Sequence, residues 1–103
     1  MYINIAGGLD LSEPAADLAL CASVASSVRD TSIPSDWAVM GEVGLAGDIR
    51  AISQAERRIA ECVRLGFHTA VLPRANARRI QTPEGMRIYG VETLAEAVSI
   101  LIG

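Results

Sequence analysis

Residues 2–6 (Tyr-Ile-Asn-Ile-Ala) alternate as a strand does, and Gly7, Gly8 and Asp10 follow as a loop. From Ser12-Glu13-Pro14 the period changes. Leu18, Cys21, Ala22, Ala25 and Val28 recur at i, i+3, i+4 and i+7, which predicts a helix from the proline to about Arg29. Leu20 and Val24 add a second apolar side, so this helix is expected to be nearly buried. After Ser-Ile-Pro-Ser, Trp37 to Val43 reads as a strand, and Gly44 and Gly47 bracket a turn that returns Asp48 to Ile52 as its hairpin partner. Ser53 with Glu56 three residues on is a capping box opening a second helix, with Ala55, Ile59, Cys62 and Val63 inward, Arg57, Arg58, Glu61 and Arg64 outward, and Gly66 as its stop.

Thr69 to Leu72 is a short apolar strand ended by Pro73. Residues 74–85 are polar and turn-rich, with one helical turn expected at Ala75–Arg79, and Met86 to Val91 is another strand. Thr93 with Glu96 makes a second capping box, and Leu94, Ala97, Val98 and Leu101 form the stripe of a last helix. The predicted order β-α-β-β-α-β-β-α implies crossover connections and a mixed sheet with helices packed on it.

At 103 residues the chain is one domain. Half of it is apolar, yet Tyr2, Trp37, Phe67 and Tyr89 are its only aromatics, so the core must come from Ala, Val, Ile and Leu. No apolar run approaches the ~20 residues of a membrane span and no leader precedes the first strand, which predicts a soluble cytoplasmic protein with no membrane partner. Cys21 and Cys62 lack metal-ligand spacing and read as buried, reduced thiols.

All nine basic residues are arginine; the chain has no lysine. Charge is uneven. Residues 1–49 set Arg29 against seven acids, whereas residues 50–79 hold seven arginines against Glu56 and Glu61. Within the basic third, Arg57, Arg58 and Arg64 lie on the polar side of a helix and Arg74, Arg78 and Arg79 in the following turn. These six are candidate DNA contacts on one rim, against the alternative of a charged face serving solubility.

The glycine-rich run Gly41 to Gly47 lacks the Gly-Lys-Ser/Thr of a phosphate loop and opens a strand rather than a helix, so its glycines shape a hairpin. His68, the only histidine, has no carboxylate or cysteine at ligand spacing, and no metal site is expected.

Trp37-Ala38-Val39-Met40-Gly41-Glu42-Val43-Gly44-Leu45-Ala46-Gly47-Asp48-Ile49-Arg50 resembles the Thr-Gly-Glu strand-turn-strand of Lon-type protease domains. The stretch from Gly66 to Asn76 is similar to the same family's strand and Pro-x-x-Asn turn. Glu13-Pro14-Ala15-Ala16-Asp17-Leu18-Ala19 stands where Lon has Gly-Pro-Ser-Ala-Gly. Together with Gly-Glu-Val-Gly-Leu-Ala-Gly, it resembles the C-terminal domain of RadA/Sms-type repair proteins. The resemblance covers essentially the whole chain and implies an α+β fold of the ribosomal-protein-S5-domain-2-like class, N-terminally truncated relative to that class.

By that resemblance the protease nucleophile falls on Ala15, the threonine on Met40 and the lysine base on Glu56. Lon-type proteases need a serine and a lysine, so the resemblance implies no catalytic residues and no protease here. It further implies a parent that is a DNA-dependent ATPase promoting branch migration in recombinational repair. ATP, Mg and Zn would belong to that parent, with no cofactor in this chain; the implied partners are further copies in a ring, DNA and a recombinase. The alternative is the related domain of magnesium-chelatase or ComM-like AAA+ ATPases. A hydrolase built on Ser12, Ser53, Asp17 or Glu42 lacks a base triad.

Overall fold

The computed structural model describes residues 13–103, and the strand expected at 2–6 lies outside them. A 3₁₀ turn (Pro14–Ala16) leads into α1 (Asp17–Val28), followed by β1 (Trp37–Val39), β2 (Glu42–Val43), β3 (Ile49–Arg50) and α2 (Ala55–Arg64). After these come β4 (Thr69–Pro73), α3 (Arg74–Ala77), β5 (Arg87–Val91) and α4 (Leu94–Ile102). The fold is α+β. Among the described residues, three strands form a parallel sheet in the order β1-β4-β5 and two form the antiparallel ribbon β2-β3. The register sets Val39 beside Val71, and Val71 beside Tyr89.

Central β4 is buried along its whole length, as a parallel strand covered on both faces must be. One face packs Ala38, Met40, Ala70 and Leu72 against Ile59 and Cys62 of α2. The other packs Val39, Val71 and Val91 against Leu18, Ala19 and Ala22 of α1 and Ala97 and Leu101 of α4. On this second face Trp37 and Tyr89 stack with ring centroids 5.7 Å apart.

The strand expected over 37–43 is broken. Met40 still donates to the Val71 carbonyl at 2.9 Å, but Gly41 donates to the Ala15 carbonyl and accepts from the Leu18 N–H, each at 2.9 Å. Its backbone groups therefore serve the entry of α1 instead of a sheet neighbour, and the chain leaves the sheet there.

The hairpin glycines act as expected. A β-carbon on Gly44 would lie 2.3 Å from the Asp48 carboxylate, and Gly47 has φ +81°, open to glycine without strain. The turn is held by Gly44 N–H to the Asp48 carbonyl at 2.8 Å. It is stitched to the β5–α4 junction by Ile49 N–H to the Glu92 carbonyl (2.9 Å) and Leu94 N–H to the Gly47 carbonyl (2.8 Å). On its other side the Asp17 carboxylate accepts from Val43 N–H at 3.2 Å, so α1 and α4 both begin beside the hairpin.

Four local expectations need correction. α1 is not nearly buried: Val24 and Val28 are 61% and 80% exposed, because α4 covers only one side of the helix. Cys21, on that uncovered side, is half-buried, whereas Cys62 is fully buried; both are free thiols. The Ser53–Glu56 capping box does not form. Gln54 is the N-cap, in the left-handed region at φ +56°, with no side-chain cap, and Val63 on the same helix is exposed rather than inward.

The second capping box does form. Glu96 N–H donates to Thr93 Oγ1 at 3.1 Å, and the Glu96 carboxylate reaches back to Glu92 N–H at 2.7 Å. Gly66, at φ +90°, ends α2 in a Schellman motif, with Phe67 N–H on the Cys62 carbonyl and Gly66 N–H on the Val63 carbonyl.

Candidate functional site

The three positions that the Lon resemblance assigns to protease chemistry sit on three converging elements. Ala15, in the 3₁₀ turn, is 6% exposed, and its carbonyl is held by Gly41 N–H, so the turn abuts the end of β1. Met40, just past the end of β1, is fully buried among Ile59, Leu72 and Met86. Glu56 stands exposed in the first turn of α2.

An ion pair not anticipated from the sequence ties these elements. Arg58 Nη2 lies 3.3 Å from Glu13 Oε1, and Arg58 Nε donates to the Ser53 carbonyl at 2.9 Å. The Arg58 side chain is only 12% exposed. Glu13 precedes the Ala15 turn and Arg58 follows Glu56 by two residues, so the contact joins the regions where nucleophile and base would stand. A bidentate, weakly hydrated guanidinium suits such a half-buried pairing. Sequence alone carried no signal for it, since the partners are far apart in the chain and the acid lies outside any helix-face pattern.

A second clamp closes the linker between β3 and α2. Asn76 Oδ1 accepts from Ile52 N–H at 2.9 Å while its Nδ2 donates to the Ile52 carbonyl at 3.0 Å. The Pro-x-x-Asn turn carried the signal: an asparagine with both donor and acceptor can satisfy one residue's backbone completely.

The candidate DNA-contacting arginines divide. Arg58 is held by Glu13, Arg64 by Glu61 through Nε and Nη2, and Arg74 by Glu92 at 2.7 Å and Glu96 at 3.2 Å. The Arg64 hydrogen bond holds the Glu61 carboxyl below its ordinary range and raises the Arg64 guanidinium. Arg57, Arg78 and Arg79 are exposed and make no ion pair among the described residues. Ile80 and Ala77, from the segment bearing Arg78 and Arg79, pack on the core cluster that contains Ile59 of α2, so the turn and the helix share that side of the sheet.

His68 is exposed, with Nδ1 3.4 Å from the Asp36 carboxylate. Among the described residues no group of three His, Cys, Asp or Glu could hold a metal, and no helix is long and apolar enough to cross a membrane.

This architecture, with its strand–turn–strand spliced to the entry of α1, belongs to a known class. Residues 5–102 match the Lon protease (S16) C-terminal proteolytic domain, and the chain belongs to that family. Within the family it is similar to RadA proteins. It is 44% identical over 100 residues to the DNA repair protein RadA of Escherichia coli (strain K12), covering 97% of this chain and 22% of that protein. It is 42% identical over 102 residues to RadA of Bacillus subtilis (strain 168), covering 99% and 22%. Against RadA of Aquifex aeolicus (strain VF5) the identity is 41% over 101 residues, covering 98% and 22%. The chain thus spans 22% of the length of these curated relatives.

Proposed function

We propose that the chain is a non-proteolytic scaffold of a RadA-type DNA repair protein, which self-associates and borders the path of DNA. The observation that carries this reading is the replaced chemistry on a retained frame. Ala15 sits in the turn spliced to the end of β1, with a methyl group where the family's nucleophile belongs. The base position is the exposed acid Glu56, and no lysine exists anywhere in the chain to stand in for it. The Arg58–Glu13 pair occupies the same region structurally. The RadA name of the relatives supports a RadA-type parent over a magnesium-chelatase-like one. DNA-dependent ATP hydrolysis, branch migration, a recombinase partner, a cytoplasmic location, and the ATP, magnesium and zinc they call for belong to that parent under this proposal.

Two measurements test it. Ala15→Ser should produce no cleavage of casein or a fluorogenic peptide, because a serine of ordinary pKa has no proton acceptor there. Time-dependent cleavage by the pure variant, absent from the unsubstituted protein, would refute the non-proteolytic reading. For DNA, the arginines without acid partners carry the proposal. Binding of a duplex, followed by fluorescence anisotropy, should lie in the nonspecific range of ~10⁻⁴–10⁻⁶ M and weaken steeply with salt. Replacing Arg57, Arg78 and Arg79 together by Ala should weaken it at least about tenfold and flatten the salt slope by ~3. An unchanged slope removes these residues from the DNA path.

A further inference from the structure

Among the described residues the most exposed large apolar side chain is Leu45, at the tip of the β2–β3 turn, with 108% of its reference surface in solvent. The turn carrying it is rigid. Gly44 and Asp48 are hydrogen-bonded across it, Gly47 N–H bonds back to the Gly44 carbonyl at 3.0 Å, and the Gly47 carbonyl is fixed by Leu94 N–H. A leucine held out on a stiff turn, burying nothing in its own fold, has the shape of a plug.

The same chain carries a socket. The outer sides of α1 and α4 form a groove of about 500 Å³ lined by Leu20, Cys21, Val24, Val28, Leu94 and Val98. Arg29, at the end of α1, is the sole charged residue among those lining it, and it makes no ion pair among the described residues. The flank of the plug has the opposite balance: Glu42 and Asp48 share a single arginine, Arg50, at 3.7 and 3.1 Å. Each feature is anomalous alone, since a soluble surface rarely leaves both a bare leucine tip and an apolar trough. They match in polarity and in sign of charge.

We infer that the Leu45 turn of one copy inserts into the α1–α4 groove of a second copy. This rests on the self-association proposed above and names the surfaces that produce it. Plug and socket are different patches, so each copy offers one of each and can both give and receive. Leu45 cannot fill the groove of its own chain while remaining fully exposed on a turn pinned to Leu94. One such contact is smaller than a standard interface of ~800 Å² per partner, so the chain alone should associate weakly, with Kd on the order of 0.1–1 mM.

The test is sedimentation equilibrium of the chain, of Leu45→Asp, of Val28→Lys, and of an equimolar mixture of the two variants. Both substitutions fall on exposed side chains, and unchanged circular dichroism and melting temperature confirm the fold. The unsubstituted chain should associate. Each variant alone should associate at least tenfold more weakly. The mixture should recover a dimer, because one variant keeps an intact socket and the other an intact plug.

Covalent capture gives an independent reading. Leu45→Cys under mild oxidant should form an intermolecular disulfide from position 45 to Cys21, and Cys21→Ser should abolish that linked peptide. If the unsubstituted chain associates and Leu45→Asp associates equally well, the plug-in-socket contact is wrong while self-association stands. A mixture that remains monomeric also overturns the contact. If the unsubstituted chain is monomeric at millimolar concentration, the self-association reading falls and this inference falls with it.

Discussion

Asn76→Ala should destabilise the fold by about 2–3 kcal/mol, because one carboxamide satisfies both backbone groups of Ile52. The two hydrogen bonds, at 2.9 and 3.0 Å, are part-buried, and no other side chain of the described residues reaches those atoms. Truncation leaves an N–H and a carbonyl without partners in the linker between β3 and α2. The loss lies at the upper end for a hydrogen-bonded pair, since both ends of the same peptide segment are orphaned together. In a domain of this size it should lower the melting temperature by about 10 °C. Asn76→Asp keeps the acceptor for Ile52 N–H but faces the Ile52 carbonyl with a second oxygen, so it should not restore the full stability. Urea unfolding of the three proteins measures the effect, and faster hydrogen exchange at the Ile52 amide localises it. Equal unfolding midpoints for Asn76→Ala and the unsubstituted protein would show that solvent replaces the clamp at no cost.

That clamp illustrates how far the chain can be read without coordinates. Helices and strands announced themselves where one period dominates: α2 and α4, and β4 with its uninterrupted apolar run. The hairpin was legible because Gly44 and Gly47 are the residues such a turn requires. Where two local solutions compete, the backbone conformation or a tertiary contact decided. Ser53 and Glu56 have the spacing of a capping box, yet Gln54 turns left-handed to start the helix one residue later, so the spacing that a box needs is lost. Gly41 interrupts a strand that sequence alone would continue, because Ala15 and Leu18 claim its backbone.

α1 misled in a different way. Its two apolar sides suggested complete burial, and periodicity cannot tell an interior face from one kept for another molecule. The candidate site was legible to a similar degree. The positions that the Lon resemblance assigns to protease chemistry, Ala15, Met40 and Glu56, come from motif order, but the Arg58–Glu13 pair beside them spans 45 positions in sequence and only the fold reveals it. Of the six arginines read as one rim, acids from outside the local pattern (Glu13, Glu92 and Glu96) take Arg58 and Arg74, and Glu61 takes Arg64.

Stability should fall as pH rises from about 9 to about 11, and Cys62 should account for a separable part of the fall. Its thiol is wholly buried between α2 and the sheet. Burial first, and then the neighbouring Glu61 charge, push its pKa up from 9.0 to about 11. The folded state therefore holds the proton more tightly than the unfolded state. Below pH 9 both states keep the thiol protonated and its contribution is complete. Between 9 and 11 the unfolded chain ionises first, and stability declines by up to ~1.4 kcal/mol per pH unit, reaching about 2–3 kcal/mol in all. The chain has no lysine to titrate in this window, and Cys21 is the other thiol that does. Cys62→Ala removes the titration at a packing cost that does not depend on pH. Urea unfolding at pH 8, 9.5 and 11 should thus show the gap between Cys62→Ala and the unsubstituted protein narrowing by about 2–3 kcal/mol. Cys21 is half-buried, and its pKa is also raised, by burial and by Asp17; the same comparison on a Cys21→Ala background removes its contribution from both curves. A gap that stays constant across that range would mean that the Cys62 thiolate is tolerated in the folded core, contrary to the burial that defines its site.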